Sequence, residues 1–132
     1  MDRISKTELT DKNILEVNYS HLKEAGMTEL LKKVKQMILQ DKKPVLIISY
    51  FNHKNYVTPA FIIQAREITL EVLPYIEKMA FVGLSFTQKI LLKGFNIALQ
   101  RNFRSFETRE EALQFMLDKN TTDNDLPDYF RK

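Results

Sequence analysis

Met79-Ala80-Phe81-Val82-Gly83-Leu84-Ser85-Phe86-Thr87-Gln88-Lys89 decides the fold, because it holds a strand, a turn and a helix start in one short run. Met79 to Val82 is wholly apolar, the pattern of a strand covered on both faces. Gly83 ends that run. From Phe86 to about Gln100 apolar residues return at helical spacing, and Ser85 with Gln88 three positions on forms a capping box. In that motif the serine oxygen accepts from one free helix amide and the glutamine satisfies another. The same residues can be set against the phosphate loop Gly-x-x-x-x-Gly-Lys-Ser/Thr, with Gly83 placing Lys89 in register. Gln88 then stands where the second glycine is needed, and Ile90 replaces the magnesium-binding hydroxyl. The expectation is a strand end and a capped helix. Its free amides and dipole leave room for an anion or a partner at Ser85, Phe86, Thr87, Lys89 and Lys93.

Upstream, Arg3 to Leu9 and Ile14 to Tyr19 read as two strands joined by the polar turn Thr-Asp-Lys-Asn. Met27, Leu30, Leu31, Val34 and Ile38 recur at helical spacing, and Val45-Leu-Ile-Ile after Pro44 reads as a buried, central strand. Thr58-Pro59 marks the next helix start, with Thr58 as N-cap, Val57 and Ile62 as a hydrophobic staple, and Phe61, Ala65, Ile68 and Val72 as the inner face. Downstream of the opening run, a short strand near Phe103 to Phe106 precedes Thr108-Arg-Glu-Glu111, a second capping box. It leads a helix with Ala112, Leu113, Met116 and Leu117 as its apolar face. The order predicts an α/β fold on the border of α+β: a mixed sheet of about five strands, opened by an N-terminal hairpin and parallel later, with about four helices. Residues 1–118 read as one domain and 119–132 as a polar tail in which Tyr129 and Phe130 are the residues able to dock.

The chain has 132 residues, 44% hydrophobic and 28% charged, which is the ordinary range of a globular domain. It has no cysteine, so disulfides, thiolate metal sites, iron–sulfur clusters and cysteine nucleophiles are excluded together. Met-Asp-Arg-Ile-Ser-Lys-Thr-Glu lacks the apolar core of a signal peptide and no apolar run reaches membrane-spanning length, so a cytoplasmic location is expected. Net charge is +3, and from Lys78 to Phe106 the charges are all basic: Lys78, Lys89, Lys93, Arg101 and Arg104. That run reads as a possible anion-facing surface. Lys89, Lys93, Asn96 and Gln100 fall on one helical stripe, read as a solvated face. Nucleic acid is disfavoured, because basicity is modest and no aromatic-basic motif is present.

Ala80-Phe-Val-Gly-Leu84, Gln88-Lys-Ile-Leu-Leu92, Phe95-Asn96, Phe106 and Glu110-Glu-Ala-Leu-Gln-Phe115 resemble the small bacterial STAS-like proteins, near the SpoIIAA-like group. The detailed match covers about a third of the chain. The resemblance implies a regulatory or binding module that works through protein contacts and is not an enzyme. It further implies a phospho-acceptor at the helix start after a central strand. There the junction Tyr50-Phe-Asn-His-Lys-Asn-Tyr-Val-Thr58-Pro offers Thr58 alone, without the acidic residue and glycine of the family motif. The group is also similar in architecture to CRAL-TRIO lipid-transfer domains, which implies an apolar-ligand pocket.

Among polar residues, His53 lies just past a central strand near Tyr50, Asn52, Asn55 and Tyr56, where open α/β sheets place ligands. Tyr50, His53 and Tyr56 are therefore further ligand or partner candidates. No paired histidine or carboxylate has metal-ligand spacing, and no catalytic constellation emerges, so neither metal, cofactor nor catalytic residue is expected. The leading reading is a non-enzymatic regulatory or protein-interaction module, with a homodimer among its possible partners. The alternative is a lipid or other small apolar or anionic ligand held in a pocket flanked by the helices. A hydrolase or transferase using His53 with Ser85 or Thr58 ranks below both.

Overall fold

The computed structural model describes residues 3–121. The tail expected at 119–132 falls outside the described residues beyond Thr121, as do Tyr129 and Phe130. The elements are β1 (Ile4–Leu9), β2 (Lys12–Asn18), α1 (Glu24–Asp41), β3 (Val45–Tyr50), α2 (Pro59–Leu70), a 3-10 turn (Leu73–Tyr75), β4 (Ile76–Val82), α3 (Phe86–Leu99), β5 (Arg104–Phe106) and α4 (Arg109–Leu117). They form one five-stranded sheet in the order β1-β2-β3-β4-β5. The β1–β2 pair is antiparallel and the remaining pairs are parallel, so the expected mixed sheet with an N-terminal hairpin is present.

The hairpin closes through Thr10 and Asp11 alone, both with positive φ (44° and 65°). That handedness matches the twist of the flanking strands, and it pairs Leu9 with Lys12 and Ile4 with Val17. β3 is central, as its unbroken apolar run requires: Leu46 and Ile48 face one side, and Ile47 the other, and all three are buried. One face of the sheet carries α1, α2 and α3 over Leu15, Val17, Ile47 and Met79. The other carries α4, whose Ala112, Phe115 and Met116 cover Ile14, Leu46, Ile48 and Ala80. Among the described residues no helix is long and apolar enough to cross a membrane.

α2 starts where Thr58 and Pro59 predict, with the Thr58 oxygen accepting from the Phe61 amide at 3.0 Å. Its inner face differs from the expectation at one position: Phe61, Ala65 and Val72 are buried, Val72 just past the helix end at Leu70, but Ile68 is only half-buried and Thr69 is buried beside it. Both sets fit helical periodicity. The set that turns inward is the i, i+4 line facing the floor between α1 and α3, and this puts a hydroxyl at a core position.

α4 is fastened at both ends. At its start, Arg109 donates through Nε and Nη2 to the two Glu16 oxygens at 2.7 and 3.0 Å. Thr7 adds a bond of 2.6 Å and the Tyr50 hydroxyl donates to the same carboxylate. At its end, the buried Lys78 ammonium donates to the carbonyls of Phe115 and Asp118 at 2.6 and 2.5 Å. A cation there offsets the unpaired carbonyls and the negative end of the helix dipole.

The Arg109 guanidinium holds the Glu16 carboxyl well below its ordinary 4.5, at about 2, against the opposing effect of burial. The unfolded chain therefore binds a proton at Glu16 before the folded chain does. The stabilisation is complete above pH 4.5 and is lost as pH falls towards 2. Since Arg109 is half exposed, solvent screening limits the contribution to roughly 2 kcal/mol. Urea unfolding between pH 6 and pH 3 is expected to show a smaller acid loss in Glu16→Gln than in the parent chain. Equal losses would remove Glu16 as the cause.

Candidate functional site

The C-terminal ends of β2, β3 and β4 meet at one edge, and the three loops that leave them are tied by two side-chain amides. Gln88 completes the expected capping box: its Oε1 accepts from the Ser85 amide at 2.9 Å, while the Gln88 amide donates to the Ser85 oxygen at 3.2 Å. Its other half goes further. Nε2 donates to the carbonyls of Asn52 and Asn55 at 3.1 and 2.9 Å. Asn55, also buried, donates to the carbonyls of Tyr19 and Leu22 at 3.1 and 2.9 Å and accepts from the Asn52 amide at 2.8 Å. Asn52 reaches on to the His21 amide at 3.3 Å.

Gly83 belongs to the same junction. Its φ is +86°, and a Cβ placed there would lie 2.3 Å from the Phe51 carbonyl oxygen. The glycine is needed because two loop backbones cross at contact distance, which leaves no cradle for a phosphate.

The sequence-derived candidates separate. Tyr50 faces the α4 side of the sheet, bound to Glu16, and both burial and that carboxylate push its phenol pKa up. His53 and Tyr56 are exposed in the β3–α2 loop. Thr58 uses its oxygen as the α2 cap and donates its proton to Glu24. Ser85 is a half-buried cap, Phe86 and Thr87 are exposed, and Lys89 pairs with Glu107 at 2.9 Å, holding that carboxyl below its ordinary range. Lys93 is exposed further along α3. Thus Ser85, Phe86, Thr87, Lys89 and Lys93 share one helix, while Tyr50 lies on the far side of the sheet from it. Among the described residues no group of three or more His, Asp or Glu is placed to hold a metal.

The basic run does not form one surface. Lys78 is buried against α4, Arg101 donates to the Ile76 carbonyl at 2.7 Å, and Arg104 lies over the Phe115 ring at 4.9 Å. These cations serve backbone carbonyls and rings, leaving Lys89 and Lys93 facing outward. The polar stripe is likewise reduced. Asn96 is buried and exchanges two hydrogen bonds with the Phe103 backbone, at 2.9 and 3.0 Å, imitating a strand partner. Gln100 adopts the left-handed conformation that ends α3.

The outward face of α3 is instead apolar. Phe86, Ile90 and Ile97 are 79%, 55% and 50% exposed, and Gly94 between them leaves open space above the helix. On the neighbouring α2, Ile63 and Leu70 are also half exposed. Ile90 and Ile97 repeat the spacing of Phe86, and that periodicity was the available signal. Beneath the two helices, against the sheet, lies a cavity of about 80 Å³ bordered by Tyr19, Ser49, Phe61, Thr69, Leu92 and Phe95.

This architecture is similar to a solved structure described as that of an anti-sigma-factor antagonist (STAS) domain protein from Planctomyces limnophilus. The TM-score is 0.58 at 14% identity, covering 87% of this chain and 98% of that one. The likeness establishes a STAS-like fold. No protein-family model matches the chain, and no curated protein matches it in sequence.

Two substitutions test the loop junction. Gly83→Ala forces a Cβ onto the Phe51 carbonyl at positive φ, and urea unfolding is expected to show a loss of at least about 2 kcal/mol. Gln88→Ala strands the Ser85 amide and two buried carbonyls, for a loss of roughly 2–3 kcal/mol. A loss in either variant no larger than that of an ordinary surface substitution, about 0.5 kcal/mol, would refute the corresponding assignment.

Proposed function

We propose that this chain is a non-enzymatic regulatory module of the STAS type, acting through contact between another protein and the outward face of α3 with the adjoining part of α2. We take residues 1–118 as the working domain and the cytoplasm as its place. The observation that carries the reading is the ridge of Phe86, Ile90 and Ile97, apolar surface left in water on a helix whose opposite side is already fully used in the core. Lys93 and the Lys89–Glu107 ion pair give it a charged rim around an apolar centre.

The loop edge supports the same reading from the other side. Its hydroxyls and amides are engaged in capping and tying loops: Ser85 and Thr58 spend their oxygens on the caps of α3 and α2. Thr58 already makes two hydrogen bonds, which does not favour it as a phospho-acceptor. An acyl-chain ligand is also less well supported, since about 80 Å³ is well below the roughly 300–1,000 Å³ of ordinary ligand pockets.

A photo-crosslinking residue placed at Ile90 should capture a protein from the source lysate that the same residue at Lys32, on the outer side of α1, does not. Phe86→Asp should abolish that adduct while changing stability by less than about 1 kcal/mol. Identical adducts from both positions, or none from Ile90, would count against the proposed surface.

A further inference from the structure

β1 lies at one edge of the sheet and pairs with β2 alone. That pairing fixes which of its backbone groups are used. The Asn18 amide donates to the Arg3 carbonyl at 2.8 Å, so Arg3 and Asn18 form a hydrogen-bonded pair, and antiparallel alternation makes Ser5, Thr7 and Leu9 bonded partners of β2 as well. Ile4, Lys6 and Glu8 then turn their amides and carbonyls away from the sheet. Among the described residues no other element meets them. The side chains divide the same way: Thr7 binds Glu16, so Ser5, Thr7 and Leu9 face the α4 side, while Ile4, Lys6 and Glu8 face the other, where Ile4 packs against the larger core.

Edge strands are ordinarily blunted by shortness, a proline, a bulge or a covering loop. β5, at the opposite edge, is protected by having only three residues. β1 has six, without proline or glycine and without a break in its register with β2. Ser5, Lys6 and Glu8 are exposed, and Leu9, at 36% exposure, leaves apolar surface beside them. Lys6 reaches Asp41 at 3.7 Å, but both side chains stand in water, where such a pair is weak and leaves the ammonium able to turn elsewhere. The strand therefore offers a regular row of donors and acceptors, flanked by one cation and one anion two positions apart.

We propose that β1 is an assembly edge that pairs antiparallel with β1 of a second copy, about a two-fold axis perpendicular to the sheet at Thr7. The register follows from charge. Ile4, Lys6 and Glu8 carry the outward groups, so these residues must face one another across the new ladder. Lys6 facing Lys6, or Glu8 facing Glu8, would set like charges directly opposite. A register centred on Ser5 leaves Glu8 and Leu9 without partners in β1. Setting Lys6 against Glu8 of the second copy pairs opposite charges twice, because the axis repeats the contact, and it brings Thr7 to Thr7 and Leu9 to Ser5. Such a strand is complementary to itself, and this is what selects a second copy as its occupant. The pair closes on its own axis and uses up both β1 edges. The product is one sheet of ten strands, five from each copy. β4 and β5, which α3 connects, lie at the far edge, so the contact does not rest on the α3 ridge having a partner and leaves that ridge open on both copies.

An edge of this length is a small interface, so the test is sedimentation of the full chain from about 10 µM to about 1 mM, which is expected to show a reversible monomer–dimer equilibrium. Lys6→Glu and Glu8→Lys each place like charges at both facing positions and should weaken the dimer at least about tenfold. Mixing these two variants restores opposite charges at both contacts and should recover a dimer containing one chain of each. Phe86→Asp should leave self-association intact, so that failure of the α3 reading and failure of this one are separable. Amide hydrogen exchange, followed residue by residue, identifies the edge itself: Ile4, Lys6 and Glu8 should gain protection as concentration rises, while Ser5, Thr7 and Leu9, already bonded to β2, change little. A chain that stays monomeric throughout, single variants that dimerise like the parent, a mixture no stronger than its components, loss of the dimer in Phe86→Asp, or protection that does not alternate along β1 overturns the proposal.

Discussion

The arrangement of the helical layer depends on a pair of buried amides. Gln88 on α3 and Asn55 in the β3–α2 loop share six hydrogen bonds to backbone carbonyls and amides from the loops after β2, β3 and β4. Parallel strands give those loops no ladder of their own, so each leaves peptide groups that must be satisfied under the helices. The two amides supply the partners and so fix the points at which α2 and α3 leave the sheet. Gly83 makes this possible, since only a residue without Cβ lets the β4–α3 turn approach the Phe51 carbonyl. A consequence for function follows directly. The strand ends where open α/β sheets usually hold a ligand are here filled by the chain's own polar groups.

Much of the fold was legible in the sequence because its signals are local and redundant. The β4 run, the break at Gly83 and the Ser85–Gln88 box all point to the same boundary, and Thr108 with Glu111 repeats that logic at α4. Thr58 followed by Pro59 fixes the start of α2 through a cap and a preset φ, neither of which needs knowledge of the neighbours. The central place of β3 follows from a run apolar on both sides. Agreement among independent local cues is what makes a sequence specify a single architecture.

The candidate site was far less legible, and the failures have a common physical origin. Periodicity states that a residue lies on a stripe but not what lies opposite. Asn96 looked solvated because it is polar and spaced like Lys89 and Lys93, yet it meets the Phe103 backbone, which no local pattern reveals. Lys78, Arg101 and Arg104 looked like a basic surface because no acid intervenes in sequence. Their long stems carry the charges to carbonyls and rings distant along the chain. Tyr50 and His53, three residues apart, part company because alternation in β3 sends the tyrosine to the α4 side. The α3 ridge was partly visible, in Phe86, but its continuation at Ile90 and Ile97 emerged only when the buried side of the helix was known.

The departures from simple packing are distributed unevenly. On the α4 side of the sheet the buried charge at Glu16 is met by four hydrogen bonds and the ammonium of Lys78 by helix carbonyls. There the polar groups are spent on structure. In the α2–α3 layer the balance is reversed: apolar side chains stand in water at Phe86, Ile90 and Ile97, while hydroxyls sit in the core at Tyr19, Ser49 and Thr69. Exchanging hydrocarbon for hydroxyl at the core positions and the reverse on the surface would remove both conflicts and raise stability by ordinary means. Stability alone therefore does not account for residues of these kinds in these places. Since local conflicts with a fold's own rules concentrate where a protein works, the two helices that cover one half of the sheet are the part of this molecule to which function should be traced.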